Sequence, residues 1–320
     1  MILNKMSDKF AFLFPGQGSQ SIGMLSEYAQ TFPLMMDTFK EASDILGYDV
    51  WKLTQQDPSH QLNQTAYTQP ALLTADIALW RCWLEQGDAQ PSVMAGHSLG
   101  EYSALVAAGV LSFPDAVSLV SERGHLMQDA CMAGEGAMAV IVGLDDEQVE
   151  EICAQSAKGE VLSPANYNSY GQVVIAGQVD AVGRAVMMAK EQNAKLAKVI
   201  SVSVPSHCLL MEPAQIQLAK VMEKVIFRSP RIPVLQNVDV EIHNKPEQIR
   251  DALIAQLTRP VRWVQIIEVM LSRQVKTFIE CGPGRVLSGL VKRITATSTI
   301  YSFGVVSQFQ AAQGALHGME

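Results

Sequence analysis

The stretch Ala95-Gly96-His97-Ser98-Leu99-Gly100-Glu101 decides how this chain is read. Ahead of it, Ser92-Val93-Met94-Ala95 is short and largely apolar, as a buried strand would be. Behind it, Tyr102 to Val110 is rich in Ala and carries Leu105 and Val106, which predicts a helix packed closely on a sheet. Strand, tight turn and helix enclose G-x-S-x-G, the nucleophile elbow that presents a serine on a strained corner at a sheet edge. Gly96 and Gly100 suit places where neighbouring backbones pass too close for a Cβ. The start of the following helix aims N–H groups at whatever Ser98 attacks. An ordinary Gly-bounded turn shares the five-residue pattern; the flanking segments and a histidine further on weigh for a nucleophile.

Upstream, Phe10 to Phe14 is a buried-strand pattern, ended by Pro15-Gly16-Gln17-Gly18-Ser19-Gln20, and residues Met1 to Lys9 read as a loose leader. The Gly-rich loop matches neither G-x-G-x-x-G nor G-x-x-x-x-G-K-[ST], so nucleotide binding is a weak reading. Elbow-type serine enzymes take their second oxyanion donor from a loop after an early strand, and this loop is placed for that. Helical patterns cover Tyr28 to Leu46 and Thr68 to Gln86; in the second, Leu72, Leu73, Ile77, Leu79, Trp80 and Trp83 form a broad apolar face. A further helix is expected from Pro114 to Gln128, with Pro114 and Asp115 suited to its first turn. Arg123 lies on it, and its immediate neighbours favour an exposed arginine paired with Glu122 or Asp129.

Downstream the period changes. Strands are expected over Gly136–Gly143, Glu160–Asn166, Gln172–Ala176 and Leu196–Val204, with helices over Asp145–Ala157 and Val179–Asn193. The order βαββαβ is that of a ferredoxin-like module. The fold class is therefore α/β: an α/β-hydrolase-like large domain with a parallel sheet, from residues 10–130 and 205–305, and a ferredoxin-like small domain inserted as residues 131–204. Val204-Pro205-Ser206-His207-Cys208 follows the insertion. Serine is a weak nucleophile without a base, which gives His207 weight, whereas Cys208 reads as a small buried apolar residue. No nearby carboxylate carries a motif marking it as a third triad member. The last third alternates again: helices over Leu209–Phe227, Ile249–Leu257, Val264–Ser272 and Leu287–Ile294, strands over Val234–Val238 and Thr277–Glu280. The tail past Val305 carries little signal and is expected to fray.

The chain has 320 residues, 48% hydrophobic and 18% charged, enough for a large core and too apolar for extensive disorder. A formal net charge of -8 argues against a nucleic-acid partner. The five cysteines are scattered without a C-x-x-C pair, which suggests reduced thiols and a cytoplasmic location. The six histidines show no metal-binding spacing, so no metal is expected. The apolar start is too short for a signal peptide, and no run reaches the roughly 18 residues of a membrane span, so a soluble protein away from membranes is expected.

Taken together, Phe14-Pro15-Gly16-Gln17-Gly18-Ser19-Gln20, Gly96-His97-Ser98-Leu99-Gly100-Glu101-Tyr102-Ser103, Val204-Pro205-Ser206-His207 and Glu280-Cys281-Gly282-Pro283-Gly284 resemble the bacterial malonyl-CoA:acyl carrier protein transacylase family of fatty acid synthesis, from Phe10 to about Ile294. The resemblance implies ping-pong transfer of malonyl from malonyl-CoA, through Ser98, to the phosphopantetheine thiol of acyl carrier protein. His207 matches the family's base, and Gln256 the residue whose main-chain carbonyl orients it. Gln256→Ala would then cost much less than loss of the histidine. Leu99 and Gln17 match the backbone donors of the oxyanion hole, and Arg123 matches the arginine that grips the free malonyl carboxylate. The resemblance also implies a monomer with no cofactor, coenzyme A entering as a thioester substrate. A serine hydrolase, a transferase of another acyl group such as methylmalonyl, and a non-catalytic carrier-protein binding module are the rival readings. Leu99 after the serine and the lack of a Tyr-Ala-Ser-His stretch before the base resemble the malonyl-using members.

Overall fold

Phe10, Phe12 and Phe14 leave strand β1 (Lys9–Phe14) on one side, Ala11 and Leu13 on the other, and all five are buried. A strand covered on both faces reads as a continuous apolar run, as parallel strands do. The computed structural model describes residues 9–87, 89–132 and 134–317, so the reading of residues 1–8 as a leader lies outside the described residues. After β1 come α1 (Ser26–Thr31), α2 (Pro33–Leu46), α3 (Val50–Gln56), α4 (Thr65–Gln86), β2 (Val93–Gly96), α5 (Leu99–Ala107) and α6 (Phe113–Asp129). A second group is β3 (Gly136–Val142), α7 (Asp146–Ala157), β4 (Leu162–Ser169), β5 (Gln172–Gln178), α8 (Val179–Glu191) and β6 (Leu196–Ile200). The last is α9 (Glu212–Met222), β7 (Val234–Leu235), α10 (Pro246–Ala255), α11 (Trp263–Ser272), β8 (Val275–Glu280), α12 (Val286–Ile294), β9 (Thr299–Ser302) and α13 (Val306–His317).

Two separate sheets result. The first is parallel, in the order β7-β2-β1-β8-β9, and the second is antiparallel, in the order β4-β5-β3-β6. The mixed α/β architecture with a parallel sheet is as expected. The Phe face of β1 packs on α4, which is buried on every side from Thr68 to Trp80, and the Ala11/Leu13 face packs on Trp263, Ile266 and Ile267 of α11 and Leu287 and Val291 of α12. Phe14 lies opposite Gly96 in the parallel register, so the loop after β1 and the corner after β2 leave the sheet side by side at its carboxyl end. In the second sheet one face packs on α7 and α8, and the other holds Met138, Val174 and Ala176 with Cys208. The second sheet is tied to the segment ahead of α11 by Tyr167 N–H to the Val261 carbonyl and Val261 N–H to the Ala165 carbonyl, both 2.9 Å.

The sequence reading departs from the structure in several places. The helix expected over Tyr28–Leu46 is two helices, because Phe32 is extended (φ −123°, ψ 104°) ahead of Pro33. The helix expected over Leu209–Phe227 is a 3₁₀ turn at Leu209–Met211 followed by α9, with Pro213 in the first turn. The strands expected to reach Val204 and Val238 stop at Ile200 and Leu235. The tail is not frayed: α13 docks through buried Phe309, whose ring lies 4.7 Å from that of Phe303. All five cysteines are free thiols, and Cys208 is fully buried.

Candidate active site

The corner between β2 and α5 has the geometry its glycines predict. A Cβ on Gly96 would lie 1.8 Å from the Gly100 carbonyl, and one on Gly100 would lie 2.0 Å from the Phe14 carbonyl oxygen. Ser98 sits at φ 54°, ψ −108°, a strained conformation that only surrounding contacts can hold. The Asn237 side chain supplies them: its Oδ1 accepts the Ser98 N–H at 2.8 Å, and its Nδ2 donates to the Gly96 carbonyl at 2.7 Å. The Ser98 N–H is thereby occupied, and Leu99 offers the first N–H of α5 instead. The loop bearing Gln17 lies against this corner, since a Cβ on Gly16 would come within 2.5 Å of the His97 carbonyl oxygen and 3.6 Å of Leu99 N.

Ser98 Oγ is 2.8 Å from His207 Nε2, and His207 Nδ1 is 2.7 Å from the Gln256 carbonyl oxygen. A carbonyl can only accept, so Nδ1 carries the proton and Nε2 presents its lone pair to the serine hydroxyl. Burial, and then the nearby Arg123 charge, push the His207 pKa down to about 3. The imidazole is therefore neutral throughout the neutral range, with its Nε2 lone pair free to accept a proton.

Arg123 is fully buried, not surface-paired with Glu122 or Asp129 as its neighbours in sequence favour. Its Nη1 donates to Gln69 Oε1 at 2.6 Å and its Nη2 to Gln256 Oε1 at 2.8 Å; its carbon lies 5.3 Å from the Tyr102 ring centroid. Its Nε has no partner among the described residues, a donor that a buried guanidinium keeps only at a cost. The Gln256 amide also donates to the Ser98 carbonyl at 2.9 Å and to Glu101 Oε2 at 2.6 Å. Gln256 thus makes contacts through its side chain as well as through the carbonyl singled out in the sequence. Burial raises the Glu101 pKa to about 8, although its partners, Gln256 Nε2 and the Asn237 N–H at 3.3 Å, are donors that favour the carboxylate.

Ser98, His207 and Gln17 open on a cleft of about 740 Å³ between the two sheets, with Met138, Val174 and Ile200 across from them. Among the described residues, no group of three or more His, Cys, Asp or Glu side chains is placed to hold a metal, and no helix is long and apolar enough to cross a membrane.

The model of the acyl transferase domain family matches residues 11–319. The chain belongs to this acyltransferase family. Malonyl CoA-acyl carrier protein transacylase of Salmonella typhimurium is 53% identical over 304 residues, which cover 95% of this chain and 98% of the relative. That of Bacillus subtilis is 44% identical over 89% of this chain and 90% of its own. The Coxiella burnetii transacylase structure superposes with a TM-score of 0.96 at 51% identity, covering 97% of this chain and 98% of that one. A malonyl-transacylase solved in complex with a type II PKS acyl-carrier protein superposes at 0.93, also at 51% identity, covering 97% and 99%.

In this acyltransferase the fold brings together all six residues singled out in sequence: Ser98, His207 and Gln256 in one hydrogen-bonded row, Leu99 and Gln17 on adjoining backbones, and Arg123 behind Gln256. Sequence reasoning missed Gln69, Thr65 and Asn237 and gave Glu101 no task. Gln69 had one usable signal, a glutamine four residues after Thr65 at the head of the apolar stretch Pro70–Leu73. Asn237, in a loop after a two-residue strand, had none.

Proposed function

We propose that this chain transfers malonyl from malonyl-CoA to the phosphopantetheine thiol of acyl carrier protein through a malonyl ester on Ser98, supplying fatty acid synthesis. The observation that carries the mechanism is the row Ser98 Oγ, His207 Nε2, His207 Nδ1, Gln256 carbonyl, with steps of 2.8 and 2.7 Å. Ser98 Oγ attacks the thioester carbonyl while His207 Nε2 takes its proton. The N–H groups of Leu99 and Gln17 receive the charge on the oxyanion. As the tetrahedral intermediate collapses, the C–S bond breaks and His207 returns the proton to the coenzyme A sulfur. The carrier thiol then attacks the ester, and the same groups act in reverse. Arg123 receives the free malonyl carboxylate; its unpartnered buried Nε supports that role, as does the fork geometry of guanidinium toward carboxylate.

Residues 131–204 are read as a ferredoxin-like domain inserted between the two parts of the large one, 10–130 and 205–305. Their own sheet and separate apolar cluster support this. One chain supplies every group named above, which supports action as a monomer, and five free thiols support a cytoplasmic location. The experiment is intact-protein mass spectrometry with malonyl-CoA. One malonyl adduct is expected, absent in Ser98→Ala and discharged by holo acyl carrier protein. An adduct retained on the alanine variant contradicts the assignment; discharge by water alone at the same rate would indicate a hydrolase.

A further inference from the structure

Between the loop after β1 and the Arg123 pocket stands one side chain bonded to both. Thr65, the first residue of α4, is fully buried. Its hydroxyl donates to Gln17 Oε1 at 2.7 Å and accepts from Gln69 Nε2 at 3.0 Å. A hydroxyl has one proton and two lone pairs, so these two bonds use it in one sense only. The proton goes to an amide oxygen, and the lone pair receives an amide N–H.

Two glutamines are oriented as a consequence. Gln17, which lines the cleft, keeps its oxygen on Thr65 and so turns its NH₂ group away from it. Gln69 keeps its NH₂ group on Thr65, with a weaker contact to Met127 Sδ at 3.5 Å, and so presents its oxygen to Arg123 Nη1 at 2.6 Å. The opposite orientation of Gln69 would set an NH₂ group against a guanidinium, donor facing donor. A glutamine amide is nearly symmetric in shape, so only its hydrogen-bond partners choose between the two. The guanidinium, which can only donate, makes that choice for Gln69, and the Thr65 hydroxyl, accepting from Gln69 and donating onward, passes it to Gln17.

We infer that Thr65 is a positioning residue for acyl selectivity: its hydroxyl anchors the Gln69 amide that holds Arg123, relays that amide's polarity to Gln17, and so ties the loop beside the nucleophile to the arginine that receives the substrate carboxylate. This role rests on the proposed malonyl transfer. Among the described residues the guanidinium is held by two amide oxygens, from Gln69 and Gln256, and by no carboxylate within hydrogen-bond range. Amide oxygens hold its plane in place without neutralising it, which leaves the charge available for an incoming carboxylate.

The test compares Ser98 acylation by malonyl-CoA and by acetyl-CoA, which lacks the carboxylate, in wild type, Thr65→Val, Thr65→Ala and Thr65→Ser. Valine keeps the shape and removes the hydroxyl; alanine removes it with no demand on space; serine restores it. Thr65→Val and Thr65→Ala are expected to lower malonyl kcat/KM by about 10- to 100-fold, the range for losing a hydrogen bond that serves a charged group. Acetyl should fall by much less, and Thr65→Ser should recover most of the malonyl rate. A purely structural threonine would lower both substrates together, along with Tm, and that result overturns the proposal. So does an unchanged malonyl-to-acetyl ratio in whichever hydroxyl-free variant folds, or a serine variant that fails to recover. Wild-type protein that forms the malonyl adduct while the variants keep its ratio counts against Thr65 alone. Wild-type protein that forms no adduct overturns the function and this role with it.

Discussion

His207 Nδ1 meets the main-chain carbonyl of Gln256 at 2.7 Å, in the place where many serine enzymes set a carboxylate. A carbonyl fixes the ring and its tautomer but supplies only a dipole, so the imidazolium formed during catalysis is less stabilised than beside a full negative charge. Burial, and then the Arg123 guanidinium, push the His207 pKa down to about 3 against the smaller upward pull of the Gln256 carbonyl.

A base depressed that far stays unprotonated across the physiological range. The acylation half-reaction should therefore show no acid limb at the ordinary histidine value of about 6.5. His207→Ala should slow acylation by about 10²- to 10⁴-fold, the usual worth of a general base. The stability consequence has a definite sign. The unfolded chain protonates this histidine below about pH 6.5 while the folded one resists until about pH 3, so acidification through that window favours unfolding. Above about pH 6.5 both states are neutral and the contribution vanishes. Tm measured against pH should fall more steeply below neutrality for wild type than for His207→Ala. Parallel curves, or a kinetic pKa near 6.5, would contradict the neutral buried imidazole.

Asn237 gives the second prediction. Its amide bonds both arms of the strained corner, accepting from Ser98 N and donating to the Gly96 carbonyl. Asn237→Ala leaves both groups buried without partners, at about 1–3 kcal/mol each. Denaturant unfolding should show that loss. Acylation should slow mainly through kcat, because Ser98 loses its fixed position while the lining of the cleft is untouched. Asn237→Asp retains the acceptor for Ser98 N–H but sets a carboxylate against the Gly96 carbonyl, so it should not rescue. Normal stability and kcat in the alanine variant would show that the corner holds itself.

What the sequence made legible follows from how far each signal reaches along the chain. The elbow is largely local: Gly96 answers to the backbone of Gly100 and Ser98 to its own positive φ, and although Gly100 answers to Phe14 on the neighbouring strand, the pattern stands within five residues of sequence. The alternation of β1 is equally local, because a strand buried on both faces must be apolar throughout. Arg123 was different. Its sequence neighbours Glu122 and Asp129 suggested a surface pair, whereas its actual partners, Gln69 and Gln256, come from α4 and from the end of α10. No periodicity announces a partner 133 residues away, and only the resemblance placed the arginine in the site. Asn237 is the limiting case, an isolated asparagine whose task depends on a turn formed 139 residues earlier. The tail shows the converse, since Phe309 holds α13 through rings of Tyr28, Phe32, Trp83 and Phe303 that no local propensity reveals.

The last prediction separates the two ends of Gln256. Its carbonyl orients His207, and its amide holds Arg123, the Ser98 carbonyl and Glu101. If only the carbonyl mattered, Gln256→Ala would be nearly silent. The structure instead predicts a selective defect. The main chain survives the substitution, so acylation by acetyl-CoA, which feels only the lost bond to the Ser98 carbonyl, should fall much less than acylation by malonyl-CoA. Arg123 loses one of its two amide oxygens, and Glu101 loses its 2.6 Å donor, so malonyl transfer should fall. Arg123→Ala is the reference for a complete loss of the grip. It removes one member of what becomes a buried charge pair, which costs about 2–5 kcal/mol in kcat/KM for malonyl, while acetyl has no carboxylate to lose. Arg123→Lys keeps the charge without the fork and should remain impaired. The measurement is the malonyl-to-acetyl ratio of kcat/KM across wild type, Gln256→Ala, Arg123→Lys and Arg123→Ala. It should fall steeply in Arg123→Ala and by an intermediate amount in the other two. A Gln256→Ala protein slowed equally on both substrates would mean that the side chain serves the carbonyl's position rather than the arginine's. An Arg123→Ala protein that kept the wild-type ratio would remove the physical basis for malonyl selectivity altogether.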